Sequence, residues 1–122
     1  MKILNAKICS NGQIFDGEVT VDGERIASVT PKETSSSLDE TIIDAKGMYV
    51  IPGLLDVHFH GCVGYDTCDA SKEAFDKIAA YEGSEGVLAI CPATMTYPED
   101  KLSEIMDIAA DYESPEGADF VG

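Results

Sequence analysis

Apolar and polar residues alternate along short stretches of the first fifty residues, a pattern that predicts strands with one buried face. The stretches are residues 2–9, 18–21, 25–29 and 41–44. Asp22 and Gly23 separate the second stretch from the third, and an Asp-Gly pair favours a two-residue hairpin because glycine adopts positive φ without strain. Residues 30–37 are polar and contain a proline, which is typical of a surface loop. The first fifty residues therefore predict a small β domain.

Continuous apolar runs replace this alternation further along the chain. They cover residues 48–57, with an interruption at Pro52 and Gly53, and residues 86–91, and a third run begins at Phe120. Runs of this kind are typical of strands buried on both faces, as in a parallel sheet. The change of pattern predicts a domain boundary near Val50, between residues 1–50 and 51–122.

Two segments with helical periodicity separate the apolar runs. Residues 71–82 carry apolar side chains on one face and precede Gly83, which predicts a helix that ends there. Thr96 and Glu99 have the spacing of a capping box and predict the start of a second helix. The order strand, helix, strand, helix, strand predicts an α/β fold in which helices pack on a parallel sheet.

Composition and charge exclude several classes of partner. The 122 residues are 44% hydrophobic and 25% charged, so a folded core is expected. The net charge of −15 would repel nucleic-acid phosphates and anionic membrane surfaces, so neither partner is predicted. No apolar run approaches the roughly 18 residues of a membrane span, and a cytoplasmic location is expected. The four cysteines have no CxxC spacing and are expected to stay reduced.

The two histidines of the chain, His58 and His60, lie just after the first continuous apolar run. Because strand side chains alternate, both imidazoles and the Asp56 carboxylate are predicted on one side, with Val57 and Phe59 on the other. Two imidazoles on one side can bind one ion, and zinc takes such nitrogens at about 2.0 to 2.1 Å. Two ordinary core or surface histidines are the alternative interpretation. The position at the carboxyl end of a predicted parallel strand, where α/β proteins place their sites, favours a metal site.

Specific segments resemble a known family. Residues 51–61, Ile-Pro-Gly-Leu-Leu-Asp-Val-His-Phe-His-Gly, resemble the first barrel strand of the amidohydrolase superfamily. Within that superfamily, residues 60–70 and residues 91–96 are similar to the N-acetylglucosamine-6-phosphate deacetylase family. The resemblance implies an α/β fold in which residues 51–122 start a (β/α)8 TIM barrel and residues 1–50 are part of a small β-sandwich. It extends over the whole chain but corresponds to about the first third of a family member.

The resemblance also implies a chemistry. It makes His58 and His60 ligands of a catalytic divalent metal, with zinc as the first choice and iron or another divalent ion as alternatives. The implied activity is metal-dependent hydrolysis of the N-acetyl amide of N-acetylglucosamine 6-phosphate, in amino sugar catabolism. The partners are then a small amino-sugar phosphate substrate and a second copy of the chain in a homo-oligomer, expected to be a dimer. The family's remaining metal ligands and catalytic aspartate have no counterpart in these 122 residues, so this chain by itself is expected to be inactive.

Two other functions stay open at this point. One is an amidohydrolase that acts on cyclic amides, and the other is a self-standing binding or assembly module without turnover. An open parallel sheet would leave Val87, Leu88 and Ile90 uncovered, and this predicts that the chain self-associates, swaps elements or is only partly ordered after Val50.

Overall fold

The computed structural model describes residues 1–31 and 41–122. The chain divides into two compact units, Met1–Pro52 and Gly53–Gly122. Each unit has its own buried core.

The first unit is built on a five-stranded sheet. Its strands are β1 (Lys2–Ser10), β2 (Gln13–Asp22), β3 (Arg25–Pro31), β4 (Ile42–Asp44) and β5 (Tyr49–Val50). β1 pairs antiparallel with β2 and parallel with β4 and β5, and β2 pairs antiparallel with β3. Ala6 and Ile8 of β1 alternate with more exposed residues and are buried with Val19 and Ala45. The alternating pattern therefore places one face of these strands in a core.

The predicted hairpin between β2 and β3 is confirmed. The two strands pair as far as Asp22, and Gly23 turns the chain with a φ of +57°. The predicted loop over residues 30–37 is wrong at its start, because β3 stays paired with β2 as far as Pro31. The remainder of that predicted loop lies outside the described residues.

The second unit combines a parallel sheet with two helices. Its elements are β6 (Leu54–Phe59), β7 (Gly61–Cys62), β8 (Tyr65–Asp66), a 3-10 turn (Thr67–Asp69), α1 (Lys72–Ser84), β9 (Val87–Pro92), α2 (Glu99–Ala110) and β10 (Asp119–Phe120). β9 lies between β6 and β10 and pairs parallel with both. Ile78 of α1, Ile90 of β9 and Ala118 are buried together, and Phe59 packs against them. The predicted alternation of parallel strands and helices is confirmed.

A short hairpin follows β6 and returns the chain toward the end of that strand. Gly61 pairs with Asp66 and Cys62 with Tyr65. Gly61 has a φ of +153°, and a Cβ at this position would overlap the Tyr65 carbonyl oxygen and lie 2.7 Å from the Asp66 Cα. Gly64 also has positive φ, +87°, but open space surrounds it. The close backbone approach at residue 61 therefore requires glycine.

Helix α1 differs from the prediction at its carboxyl end. It begins after Ser71, whose hydroxyl oxygen accepts a hydrogen bond from the Ala74 N–H at 3.2 Å. It then continues through Gly83 to Ser84. A Cβ at residue 83 would lie 2.5 Å from the Gly117 Cα. Glycine at this position permits close backbone packing instead of ending the helix.

Helix α2 begins without the predicted capping box. Pro98 is the N-cap residue, no side chain caps the helix, and the Leu102 N–H donates to the Pro98 carbonyl at 3.1 Å. The predicted Thr96–Glu99 box is wrong because Glu99 is the first helical residue and Thr96 lies two residues before the cap. Proline, with a φ of −56°, determines where the helix starts. Neither helix of the described chain is long and apolar enough to cross a membrane.

The sheet of the second unit leaves part of its apolar surface uncovered. Leu55, Val57 and Leu88 are 55%, 67% and 54% exposed, and Val87 is half-buried. Ile90, by contrast, is fully buried, so the prediction that it lies uncovered is wrong. The reason is that Ile90 belongs to the central strand and packs against Ile78 in the core of the unit.

The buried position of Ile78 predicts a large effect of its truncation. Ile78→Ala removes three buried carbon atoms from a core that covers the side chain completely, so we expect a loss of about 3 kcal/mol in the free energy of unfolding. Ile26→Ala is the matched control, because Ile26 is 68% exposed, and it should cost less than about 1 kcal/mol. Urea denaturation of both variants measures the difference. Equal losses would contradict the assignment of this core.

The β7–β8 hairpin predicts that substitution of its two glycines by alanine destabilises the chain to different extents. Gly61→Ala should destabilise the chain by about 3 kcal/mol because the new Cβ meets backbone atoms that cannot rotate away. Gly64→Ala in the same hairpin brings only the strain of positive φ and should cost about 1 kcal/mol. Thermal unfolding followed by circular dichroism compares the two. A larger loss for Gly64→Ala would show that the hairpin does not pack in this way.

Candidate metal centre

The imidazoles of His58 and His60 lie on one side of the end of β6. Their ring centroids are 5.2 Å apart and their planes are at 84° to each other. Phe59, between them in sequence, packs instead into the core around Ile78. The predicted placement of both rings on one side is confirmed. His58 is exposed and His60 is half-buried, so the pair lies at the surface of the second unit.

A backbone carbonyl fixes the orientation of the His60 ring. Nδ1 of His60 lies 2.9 Å from the Ala93 carbonyl oxygen. Because a carbonyl only accepts, Nδ1 carries the proton and donates, and the neutral ring has its lone pair on Nε2. The Ala93 N–H in turn donates to the Phe59 carbonyl at 2.8 Å, which ties the segment after β9 to the end of β6. Metal-binding histidines generally have their second ring nitrogen held in this way, and the lone pair on Nε2 of His60 is not used by this hydrogen bond.

Thr67 holds the backbone of His60 from the other side. Its N–H and its hydroxyl both donate to the His60 carbonyl oxygen, at 2.8 and 3.0 Å. Thr67 is only 4% exposed. Asp66 and Asp69 fix the turn that carries it: Asp66 Oδ1 accepts from the Cys68 N–H at 2.7 Å, and Asp69 Oδ2 accepts from the Asp66 N–H at 2.9 Å. The hairpin after His60 therefore places two hydrogen-bond donors of Thr67 at the His60 carbonyl.

Asp56 has a local structural contact. Its Oδ1 accepts a hydrogen bond from the His58 N–H at 3.0 Å, which supports the backbone at the end of β6. Within residues 1–31 and 41–122, no group of three or more His, Cys, Asp or Glu side chains could hold a metal ion. The histidine pair therefore offers two ligands in the part of the chain that the structure describes.

The thiols of Cys62 and Cys68 have raised pKa values. Burial, together with the negative charge of the neighbouring Glu82, raises the pKa of Cys62 to about 11. Burial also raises the pKa of Cys68, whose Sγ accepts a hydrogen bond from the Met95 N–H at 3.3 Å. Thiols with raised pKa stay protonated at neutral pH, whereas nucleophilic attack requires the thiolate, so these two thiols are poor nucleophiles. All four cysteines of the chain are free.

Sequence reasoning does not identify Thr67 or the Ala93 carbonyl as parts of this site. The Asp66-x-x-Asp69 spacing is a signal for a capped turn and could have drawn attention to Thr67. The carbonyl has no such signal, because every residue type supplies one. Its position follows from the pairing of β6 with β9, in which Phe59 lies opposite Pro92.

Comparison with known proteins gives two groups of relatives by sequence. No protein-family model matches the chain. It is 34% identical over 99 residues to a dihydroorotase of Staphylococcus epidermidis, a match that covers 80% of this chain and 23% of the relative. It is 25% identical over 117 residues to the N-acetylglucosamine-6-phosphate deacetylase of Bacillus subtilis, covering 96% of this chain and 30% of the relative. The chain thus spans between 23% and 30% of the length of these relatives.

Solved structures with a similar fold include two deacetylases. The N-acetylglucosamine-6-phosphate deacetylase of Pasteurella multocida superposes with a TM-score of 0.80 at 21% identity, over 99% of this chain and 34% of that one. The deacetylase of Thermotoga maritima gives a TM-score of 0.74 at 27% identity, over 92% of this chain and 28% of that one. By sequence and by fold the chain resembles the amino-terminal portion of the N-acetylglucosamine-6-phosphate deacetylases of the amidohydrolase superfamily, as residues 51–61 and 91–96 indicated.

Proposed function

We propose that residues 51–122 are the metal-binding start of a (β/α)8 barrel in an N-acetylglucosamine-6-phosphate deacetylase, with residues 1–50 as part of its β-sandwich. The observation that supports this most directly is the geometry of His58 and His60 at the carboxyl end of a parallel strand. Both rings lie on one side, and the hydrogen bond to Ala93 favours the neutral His60 tautomer whose lone pair is on Nε2. The activity of the whole enzyme would be hydrolysis of N-acetylglucosamine 6-phosphate to glucosamine 6-phosphate and acetate.

The chemistry of the donor pair fits a divalent metal. Neutral imidazole nitrogens suit zinc and also iron, and a chain with a net charge of −15 attracts cations. In this proposal Nε2 of His60 is one ligand and a ring nitrogen of His58 is the second. A divalent ion bound in such a site lowers the pKa of water and polarises an amide carbonyl, which is the chemistry that amide hydrolysis needs.

Each residue of the site then has a separate task. His58 and His60 bind the ion, while Ala93 and Thr67 hold His60 in place. Asp56 is engaged with the His58 N–H, so the carboxylate that moves protons between water and the leaving amine would be supplied by another segment of the enzyme. Catalytic zinc usually takes three protein ligands, so this proposal also requires at least one ligand from beyond the described residues 1–31 and 41–122.

A second candidate function is hydrolysis of a cyclic amide by an enzyme of the same superfamily. The dihydroorotase match supports it, since its identity of 34% exceeds the 25% of the deacetylase match. The deacetylase match covers more of the chain, 96% against 80%. In addition, two deacetylase structures superpose on the chain with TM-scores of 0.74 and 0.80. An L-hydantoinase superposes with a TM-score of 0.59. The fold comparison therefore favours the deacetylase.

The proposal extends to assembly and location. We propose a cytoplasmic homo-oligomer, a dimer, with a small amino-sugar phosphate as the substrate. The exposed apolar side chains Leu55, Val57 and Leu88 support self-association of this 122-residue chain, because each loses contact with water on assembly.

Metal binding by the histidine pair is the first prediction of this proposal. Zinc should bind to the purified chain, and His58→Ala and His60→Ala should each weaken binding by at least about ten-fold, because a single imidazole cannot chelate. Val57→Ala is the matched control, because strand alternation puts this exposed neighbour on the other side of β6 and its loss should leave the affinity unchanged. Isothermal titration calorimetry measures all four proteins. Zinc affinity that is the same in both histidine variants as in the original chain would rule out this ligand pair.

The second prediction concerns turnover. Protein expressed from the whole reading frame should release acetate from N-acetylglucosamine 6-phosphate, and His60→Ala in that protein should abolish most of the rate. The 122-residue chain should release none, because its described residues place no third ligand beside the histidine pair. Acetate release is assayed beside dihydroorotate hydrolysis. Activity on dihydroorotate alone would replace the deacetylase proposal with the cyclic amide alternative.

A further inference from the structure

We propose that Thr67 is a positioning residue for the metal centre: its buried hydroxyl fixes the His60 backbone and thereby the ring that presents Nε2 to the ion. This inference rests on the proposed function, because it assigns a task to Thr67 in the same site. Thr67 itself does not contact the ion in this proposal, since its hydroxyl is directed at the His60 carbonyl, 3.0 Å away.

The backbone of His60 depends on hydrogen bonds from Thr67 because strand pairing of β6 no longer fixes it. β6 ends at Phe59, so His60 lies just beyond the strand. Its carbonyl accepts two hydrogen bonds, and both come from Thr67. Loss of the hydroxyl would leave the carbonyl with the N–H of Thr67 alone.

Burial makes the hydroxyl difficult to replace. Thr67 is the polar residue that is buried among the described residues, with 4% of its surface exposed. Water therefore has little access to take over the hydroxyl's hydrogen bond if it is removed. The turn around Thr67 is fixed by Asp66 and Asp69, and the approach of the hairpin depends on Gly61. The hydroxyl is thus held at one place relative to the His60 carbonyl.

A shift of the His60 backbone would act on the ring through the bond to Ala93. The distance between Nδ1 and the carbonyl oxygen is 2.9 Å, and hydrogen bonds weaken quickly beyond about 3.2 Å. A ring released from Ala93 populates both neutral tautomers, and in one of them Nε2 carries the proton and cannot bind a metal. A small displacement of the backbone therefore lowers the fraction of molecules in which Nε2 of His60 can bind a metal.

The test uses Thr67→Val, which keeps the shape of the side chain and removes the donor. Thr67→Ser keeps the donor and removes the methyl group, and Thr20→Val in β2 is the matched control in the first unit. Long-range proton–nitrogen NMR correlations of ¹⁵N-labelled histidine report the tautomer of each ring without metal, at a pH where both rings are neutral. With only two histidines in the chain, the His58→Ala variant assigns the signals. Zinc affinity of each variant is then measured by calorimetry.

The expected result is specific for His60 and for the hydroxyl. The original chain should show His60 protonated at Nδ1, and Thr67→Val should move it toward a mixture of tautomers and weaken zinc binding roughly ten-fold. Thr67→Ser and Thr20→Val should leave both measurements as in the original chain. Unchanged His60 nitrogen shifts in Thr67→Val would overturn the proposal, and so would a serine variant that behaves like valine.

Two further outcomes separate this inference from the function on which it rests. If the original chain binds no zinc but Thr67→Val still changes the His60 tautomer, the metal proposal fails and the positioning role of Thr67 stands. If Thr67→Val does not fold, the serine variant decides: an unchanged His60 tautomer supports the hydroxyl as the active group, and a changed one contradicts it.

Discussion

The hydrogen bonds that converge on His60 are the constraint on which the account of this site depends. The ring donates to the Ala93 carbonyl, and the His60 carbonyl accepts from the N–H and the hydroxyl of Thr67. These contacts bring together the segment after β9, the turn after β8 and the end of β6. A single residue beyond a strand thus has both its backbone and its ring fixed, and the neutral ring has one nitrogen left for a metal.

The rest of the second unit maintains these contacts. Ile78 and Ile90 pack α1 against the central strand, and the pairing of β6 with β9 brings Ala93 to the end of β6. Gly61 lets the hairpin approach closely enough for Thr67 to return to His60. Packing away from the imidazoles therefore affects His60, because it determines where the Ala93 carbonyl and Thr67 lie relative to that residue.

The sequence was sufficient to predict the longer strands, the two helices and the common side of His58 and His60, and insufficient to predict the β7–β8 hairpin and the contacts that hold His60. Local periodicity of apolar and polar residue types predicts the parallel strands and the common side of His58 and His60. The Asp-Gly pair predicts the hairpin at Gly23. The role of Gly83 depends on where Gly117 packs, and the start of α2 depends on the backbone at Pro98, so both required the folded chain. The Ala93 carbonyl is the extreme case, since it is chemically identical to every other carbonyl in the chain.

X-ray absorption at the zinc edge tests the central claim, that His58 and His60 together bind a divalent metal, most directly. The measurement is made on the 122-residue chain with less than one equivalent of zinc, so that only the strongest site is occupied. The account predicts the multiple-scattering pattern of two imidazoles with zinc–nitrogen distances of about 2.0 to 2.1 Å. A spectrum with sulfur ligands at about 2.3 Å, or with oxygen ligands and no imidazole scattering, would contradict it.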